Sequence, residues 1–287
     1  MKLNAGFLDL QYQAARLTLD PNRGGAIREF SWWGRDVLRR TPAGRGDDPF
    51  DMACFPMVPY VNRIAGGRFS FDGRRVQLGR NWSTDEHPLH GQGWRAPWKV
   101  VAASAASATL RFEGGGDEWP WRYVAEQCFQ LLENSLLVDL SVTNLSATPM
   151  PAALGLHPYF ADAAHARLHA SLPRVWLTDS QALPLNEAPT PPEWAFEPAR
   201  AVAAVSLDNG FAGWNGVAVI RWPDRVCTVR APHCGFLHVF VPPGRHFFCI
   251  EPQTAAPGAL NRDAAHVTVL APGDRLSIRV QFEVGAS

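Results

Sequence analysis

Tyr123-Val124-Ala125-Glu126-Gln127-Cys128-Phe129-Gln130-Leu131-Leu132, then Glu133-Asn134, then Ser135-Leu136-Leu137-Val138-Asp139-Leu140-Ser141-Val142-Thr143 is the stretch on which the fold turns. In its second arm Val138, Leu140 and Val142 alternate with Asp139, Ser141 and Thr143. That is the period of a half-buried strand. With a two-residue polar connection between the arms, the stretch reads as a long β-hairpin.

The same reading extends in both directions. Arg68 to Phe71 and Arg74 to Leu78 flank Asp72-Gly73, a pair that tolerates the positive φ angles of a tight hairpin turn. Arg16 to Leu19, Val217 to Trp222, Phe236 to Val241, Phe247 to Ile250 and Arg275 to Phe282 are further strand-like runs. Gly and Pro, 24 of each, punctuate them. This pattern suits antiparallel sheets rather than βαβ units. Asp162 to Ala170 is expected to form a short helix, and Pro184 to Pro198 a long loop. The expectation is an all-β chain, one large antiparallel β-sandwich domain over residues 1–287 with few short helices.

Composition narrows the function. Lys plus Arg and Asp plus Glu each number 27, so the formal net charge is zero. A dedicated nucleic-acid binder would carry a basic surplus. Lysine occurs only as Lys2 and Lys99, which leaves little room for Schiff-base chemistry. Cys54, Cys128, Cys227, Cys234 and Cys249 are scattered, which suits reduced, buried thiols better than a thiolate zinc site. Met1 to Gly6 does not look like a signal peptide, and no apolar run is long enough to span a bilayer. A soluble, cytoplasmic protein is expected.

Several motifs carry no chemistry on inspection. Gly91-Gln92-Gly93-Trp94-Arg95-Ala96 fits a dinucleotide-loop pattern but follows a polar segment instead of an apolar strand. His165 and His169 are spaced for one helix face but lack a third metal ligand. His87 and His90 also invite a metal reading, ranked below hydrogen bonding.

Five polar constellations remain. Asn62-Arg63 lies among apolar neighbours, where a guanidinium needs oxygen-rich company. His90-Gly91 precedes Trp94 and Trp98, either of which could stack on a sugar face. His157 sits in Gly155-Leu156-His157-Pro158-Tyr159-Phe160, Asp208 in a turn-like Asp208-Asn209-Gly210, and Glu251 at the end of Phe247-Phe248-Cys249-Ile250. An unpaired carboxylate at the end of such a strand would cost several kcal/mol if buried.

Taken in order, Asn62-Arg63-Ile64, Leu89-His90-Gly91, Asn134 through His157-Pro158-Tyr159-Phe160, Glu251-Pro252-Gln253-Thr254 and Val269 to Asp274 make the chain resemble the aldose 1-epimerase (galactose mutarotase) family. The resemblance implies the galactose mutarotase-like supersandwich and an isomerase that interconverts the anomers of a free aldose. It implies Glu251 as general base and His157 as general acid, with Arg63, His90, Asp208 and Asn62 binding sugar hydroxyls. No cofactor or metal is implied. The expected partner is the sugar, not nucleic acid or membrane, and the expected state is a monomer or weak homodimer. On this reading Glu251 begins ionised and His157 protonated, and the rate falls at both pH extremes.

Three alternatives stand beside it. A hexose 6-phosphate mutarotase would gather arginines such as Arg63, Arg80 or Arg95 on the phosphate. A carbohydrate-binding or sensing protein would need the cleft without the acid–base pair. A glycosidase would use two carboxylates, drawn from Asp208, Glu251, Asp117 and Glu118.

Overall fold

In the computed structural model, which describes residues 3–4, 6–262 and 267–287, two large antiparallel sheets pack face to face. Met1, Lys2 and Ala5, part of the segment read above for a leader, lie outside the described residues. The long hairpin forms as read. Tyr123–Leu131 pairs with Ser135–Asn144 in a register that sets Leu131 opposite Leu136. Leu136, Val138, Leu140 and Val142 are fully buried. Each such side chain contributes about 1.5–3 kcal/mol on burial.

Arg275–Gly285 pairs with the hairpin's second arm, and these strands form the middle of a nine-stranded sheet. The opposing sheet has twelve strands. Phe282 of the first sheet meets Phe30 and Phe160 of the second, at ring-centroid distances of 6.4 and 6.1 Å. The Asp72-Gly73 turn also forms as read, with both residues at positive φ, joining Arg68–Phe71 to Arg74–Gln77. Among the described residues no helix is long and apolar enough to cross a membrane.

Three local expectations are corrected. Asp162 to Ala170 is a turn followed by the strand Arg167–Ala170, whose exposed–buried alternation has period two. His165 and His169 therefore share no helix face; they lie near Asp162 and Glu197 respectively. Pro184 to Pro198 is not a loop throughout. Pro184–Pro189 is a strand, Pro192–Trp194 one 3-10 turn, and Phe196–Ala201 a second strand. Both strands lie at sheet edges, where a residue without an N–H is tolerated. Asp208-Asn209-Gly210 is no turn but part of the strand Leu207–Ala212. There the Asn209 side chain is buried and donates to the Trp176 carbonyl at 2.9 Å.

Candidate active site

Five neighbouring strands of the twelve-stranded sheet form the floor of a cavity: Cys54–Met57, Gly155–Ala161, Phe247–Gln253, Phe236–Val241 and Leu207–Ala212. Alternation decides which side chains reach it. In Phe247–Gln253, Phe248 and Ile250 turn to the core, while Glu251 turns the other way. Glu251 is thus not at a strand end near solvent, since the strand continues to Gln253 and Glu251 is 2% exposed. His157, His238 and Asp208 reach the same face from adjacent strands, around a cavity of about 500 Å³.

At its centre His157 Nε2 lies 3.1 Å from Glu251 Oε1. The pairing Gly155↔Gln253 and Tyr159↔Cys249 on either side brings these two residues opposite each other. Glu251 Oε2 accepts from the Gln253 amide at 3.2 Å. The imidazole is flanked by Phe55 and Tyr159, at ring centroids of 4.5 and 4.7 Å, while its buried Nδ1 has no protein partner.

Burial in these surroundings penalises charge on either group. It raises Glu251 to about 7, although the nearby His238 pulls the other way. Burial and the charge of His238 depress His157 to about 3. This reverses the expected resting protonation. The pair's single proton therefore favours Glu251, and His157 is neutral.

Two loops close over the pair. Asn62 and His90 both have positive φ, 55° and 57°, a sparsely populated region for residues with side chains. They hold each other: the Asn62 N–H donates to His90 Nδ1 at 3.2 Å, and the His90 N–H to the Asn62 carbonyl at 3.1 Å. With Nδ1 accepting, the proton of neutral His90 resides on Nε2, ready to donate to a ligand oxygen. Burial and neighbouring positive charges keep this ring neutral. Gly91 follows at φ 78°, and a Cβ there would stand 2.1 Å from the Val58 carbonyl oxygen. Only glycine allows the two loops this approach.

Neither Trp94 nor Trp98, which could have stacked on a sugar face, lines the cavity. Trp94 is fully buried, and its indole N–H donates to the Leu89 and Gly91 carbonyls, each at 3.0 Å. Trp98 is buried and donates to the Gly93 carbonyl. Both hold the loop from behind. The aromatic walls are Phe50, Trp82, Phe240 and Phe247.

Arg63 lines the cavity with its Nε bonded to Asp85 Oδ2 at 2.8 Å. Asp208 lines it with its side chain about half exposed. All six residues singled out from the sequence therefore converge. Of the alternatives, Arg80 bonds the Asp85 and Ser83 carbonyls, while Arg95 and Glu118 pair with each other beside a separate depression. Asp117 does not line the cavity either.

Residues not foreseen complete the site. His238 is buried between Asp208, Asn62 and Glu251. Arg39 lies over the Tyr159 ring at 3.8 Å. The signal for His238 was present, because in Phe236-Leu237-His238-Val239-Phe240-Val241 it falls out of phase with the core residues Leu237, Val239 and Val241.

His157, Cys249 and Glu251 bring three metal-capable atoms within 4.8 Å. Burial holds the Cys249 thiol protonated, and the other two are bonded to each other. The trio is thus a His157–Glu251 contact beside a buried, protonated thiol.

Comparison with known proteins bears on the family and the fold. The aldose 1-epimerase family profile matches residues 17–283. The chain is 35% identical to the uncharacterized protein YphB of Escherichia coli K12 over 93% of its own length and 96% of that protein's. A crystal structure from E. coli K12, provisionally assigned as an aldose 1-epimerase, superposes with a TM-score of 0.92 and 32% identity, covering 98% of this chain and 99% of that one. A galactose mutarotase-like protein from Clostridium acetobutylicum shares the fold, with a TM-score of 0.88 at 19% identity, covering 98% and 95% of the two chains.

Proposed function

The chain belongs to the aldose 1-epimerase family, and from that premise we propose that it interconverts the α and β anomers of a free aldose by acid–base ring opening. The observation that carries the reading is the contact between His157 Nε2 and Glu251 Oε1, 3.1 Å apart on the floor of a cavity ringed by hydrogen-bonding groups. Binding alone would not require a buried acid–base pair held at that distance.

Opening a hemiacetal ring requires removal of the proton from the anomeric hydroxyl and delivery of one to the ring oxygen. Glu251 takes the first and His157 supplies the second, as the C1–O5 bond breaks and the aldehyde forms. Rotation about C1–C2 then presents the other face of the carbonyl to the ring oxygen, and the reverse transfers close the ring. Each positioned group contributes roughly 10²–10⁴-fold.

The resting proton on Glu251 fits this scheme, because the pair needs one proton in total. Sugar hydroxyls entering the cavity replace lost hydration and favour its transfer to His157. Arg63, His90 through Nε2–H, Asn62 and Asp208 orient the ring, so that the reacting oxygens face the pair.

A second reading, a sugar bearing an anionic group, has one observation in its favour. Arg245 lines the cavity together with Arg39 and Arg63, so guanidinium groups border it. Competition by glucose 6-phosphate but not glucose supports that substrate. Acceleration of free-sugar mutarotation, monitored by optical rotation, supports the first.

A further inference from the structure

None of the proton transfers above uses His238, yet it occupies the middle of the cavity floor, 6% exposed. It stands in register with Glu251 on the neighbouring strand. Its Nε2 lies 2.8 Å from Asp208 Oδ1, and its Nδ1 lies 3.4 Å from the Asn62 side-chain nitrogen. Asn62 is itself oriented by the Arg63 N–H, which donates to Oδ1 at 2.7 Å. A chain of contacts thus runs from the backbone of one closing loop, through His238, to a carboxylate that faces the cavity.

We propose that His238 is a positioning residue of the reaction, which fixes Asp208 for the sugar hydroxyls and sets a positive charge opposite Glu251. The inference rests on the mutarotase reading of the site.

The two parts have separate physical bases. Asp208 is half exposed, and an N–H donor from a buried ring restricts its rotation before sugar arrives. The charge arises because His238 lies between two carboxylates. Glu251 and the bonded Asp208 both favour its protonated form, and together they outweigh burial. The Asn62 amide favours the neutral ring, but its contact is long and uncharged, hence the weaker influence.

The other ionisable groups nearby do not titrate with the pair. Arg63 is already paired with Asp85, and Arg39 lies over the Tyr159 ring. His90 is held neutral, while Tyr159, Cys54 and Cys249 are held protonated, all by burial. Asp208 is kept ionised by the bond from His238. The charge of His238 therefore acts chiefly on the proton shared by Glu251 and His157.

The test uses two substitutions in the full-length protein. His238→Gln keeps an N–H donor for Asp208 but loses the charge. His238→Phe loses both. For His238→Gln, KM stays within about threefold of wild type, while the alkaline limb of kcat/KM moves to higher pH, because the pair holds its proton more tightly without the cation. His238→Phe shows the same displacement and a rise in KM of about tenfold or more.

An unmoved alkaline limb in His238→Gln, or an unmoved KM in His238→Phe, overturns the proposal. If His238→Phe does not fold, His238→Gln carries the test alone. NMR titration of the Glu251 carboxyl and the His157 ring in ¹³C-labelled wild type and His238→Gln reads the same displacement without turnover. Wild type inactive on every sugar would overturn the mutarotase reading, whereas an unshifted titration would overturn the role of His238.

Discussion

Varying pH tests how the buried pair works. Glu251 near 7 and His157 near 3 mean that between these values the pair holds one proton, on the carboxyl. Moving that proton to His157 before sugar binds carries a cost, because burial penalises charge on both groups. The mutual attraction of the charged forms and hydrogen bonds from bound sugar reduce this cost. The reaction needs that proton present, whichever group holds it at rest. The plot of kcat/KM against pH should therefore be a bell, with its alkaline limb near 7 and its acid limb near 3.

Above the alkaline limb the value falls about tenfold per pH unit, because the pair has lost its only proton. The assay is optical rotation of freshly dissolved α-anomer from pH 4 to 9, corrected for spontaneous mutarotation. A value that instead rises through pH 7 to a plateau at 9 would refute the shared-proton reasoning, since the doubly deprotonated pair would then be the working form.

Other predictions follow from the loops and walls. Gly91→Ala places a methyl group against the Val58 carbonyl at a positive φ, so thermal denaturation should show a loss of at least about 1–3 kcal/mol, with a raised KM. Asp85→Asn removes the charged partner of Arg63 and should lower kcat/KM about tenfold, mainly through KM. An unchanged KM would show that Arg63 orients itself without Asp85. Trp82→Ala should raise KM and lower the melting temperature by less than Trp94→Ala does, because its ring is only partly buried against Phe50 and Trp94. Trp94→Ala should lower the melting temperature by the equivalent of about 3–5 kcal/mol, because that ring fills the core behind the loop.

The parts of the fold legible in the sequence were those where one face is buried and the other wet. The hairpin from Tyr123 to Asn144 has that alternation, and it formed with the register its two-residue connection dictates. Strands at the sheet edges were harder to see. Prolines at 184, 189 and 198 read as loop, yet an edge strand needs fewer N–H donors. Arg167 to Ala170 is a strand of only four residues, too short for its alternation to stand out against the helix expected over Asp162 to Ala170.

Within the site, His157 and Glu251 were singled out by the family resemblance of the segments that hold them, Glu251 also as a carboxylate ending an apolar run. His238 interrupts the apolar strand Phe236–Val241 but lacked a neighbouring motif to draw attention to it. Pairings such as Arg63 with Asp85, and the burial that moves the resting proton to Glu251, depend on contacts between distant segments. No local pattern encodes them.

The most direct test of Glu251 as base is polarimetry on the α-anomers of glucose, galactose, xylose and arabinose, comparing wild type with Glu251→Gln. The amide keeps the shape and the hydrogen bonds but cannot take a proton. Wild type should speed the approach to equilibrium rotation for at least one sugar, and the substitution should reduce that acceleration by roughly 10²–10⁴-fold with the fold intact. Full activity in Glu251→Gln would contradict the assignment.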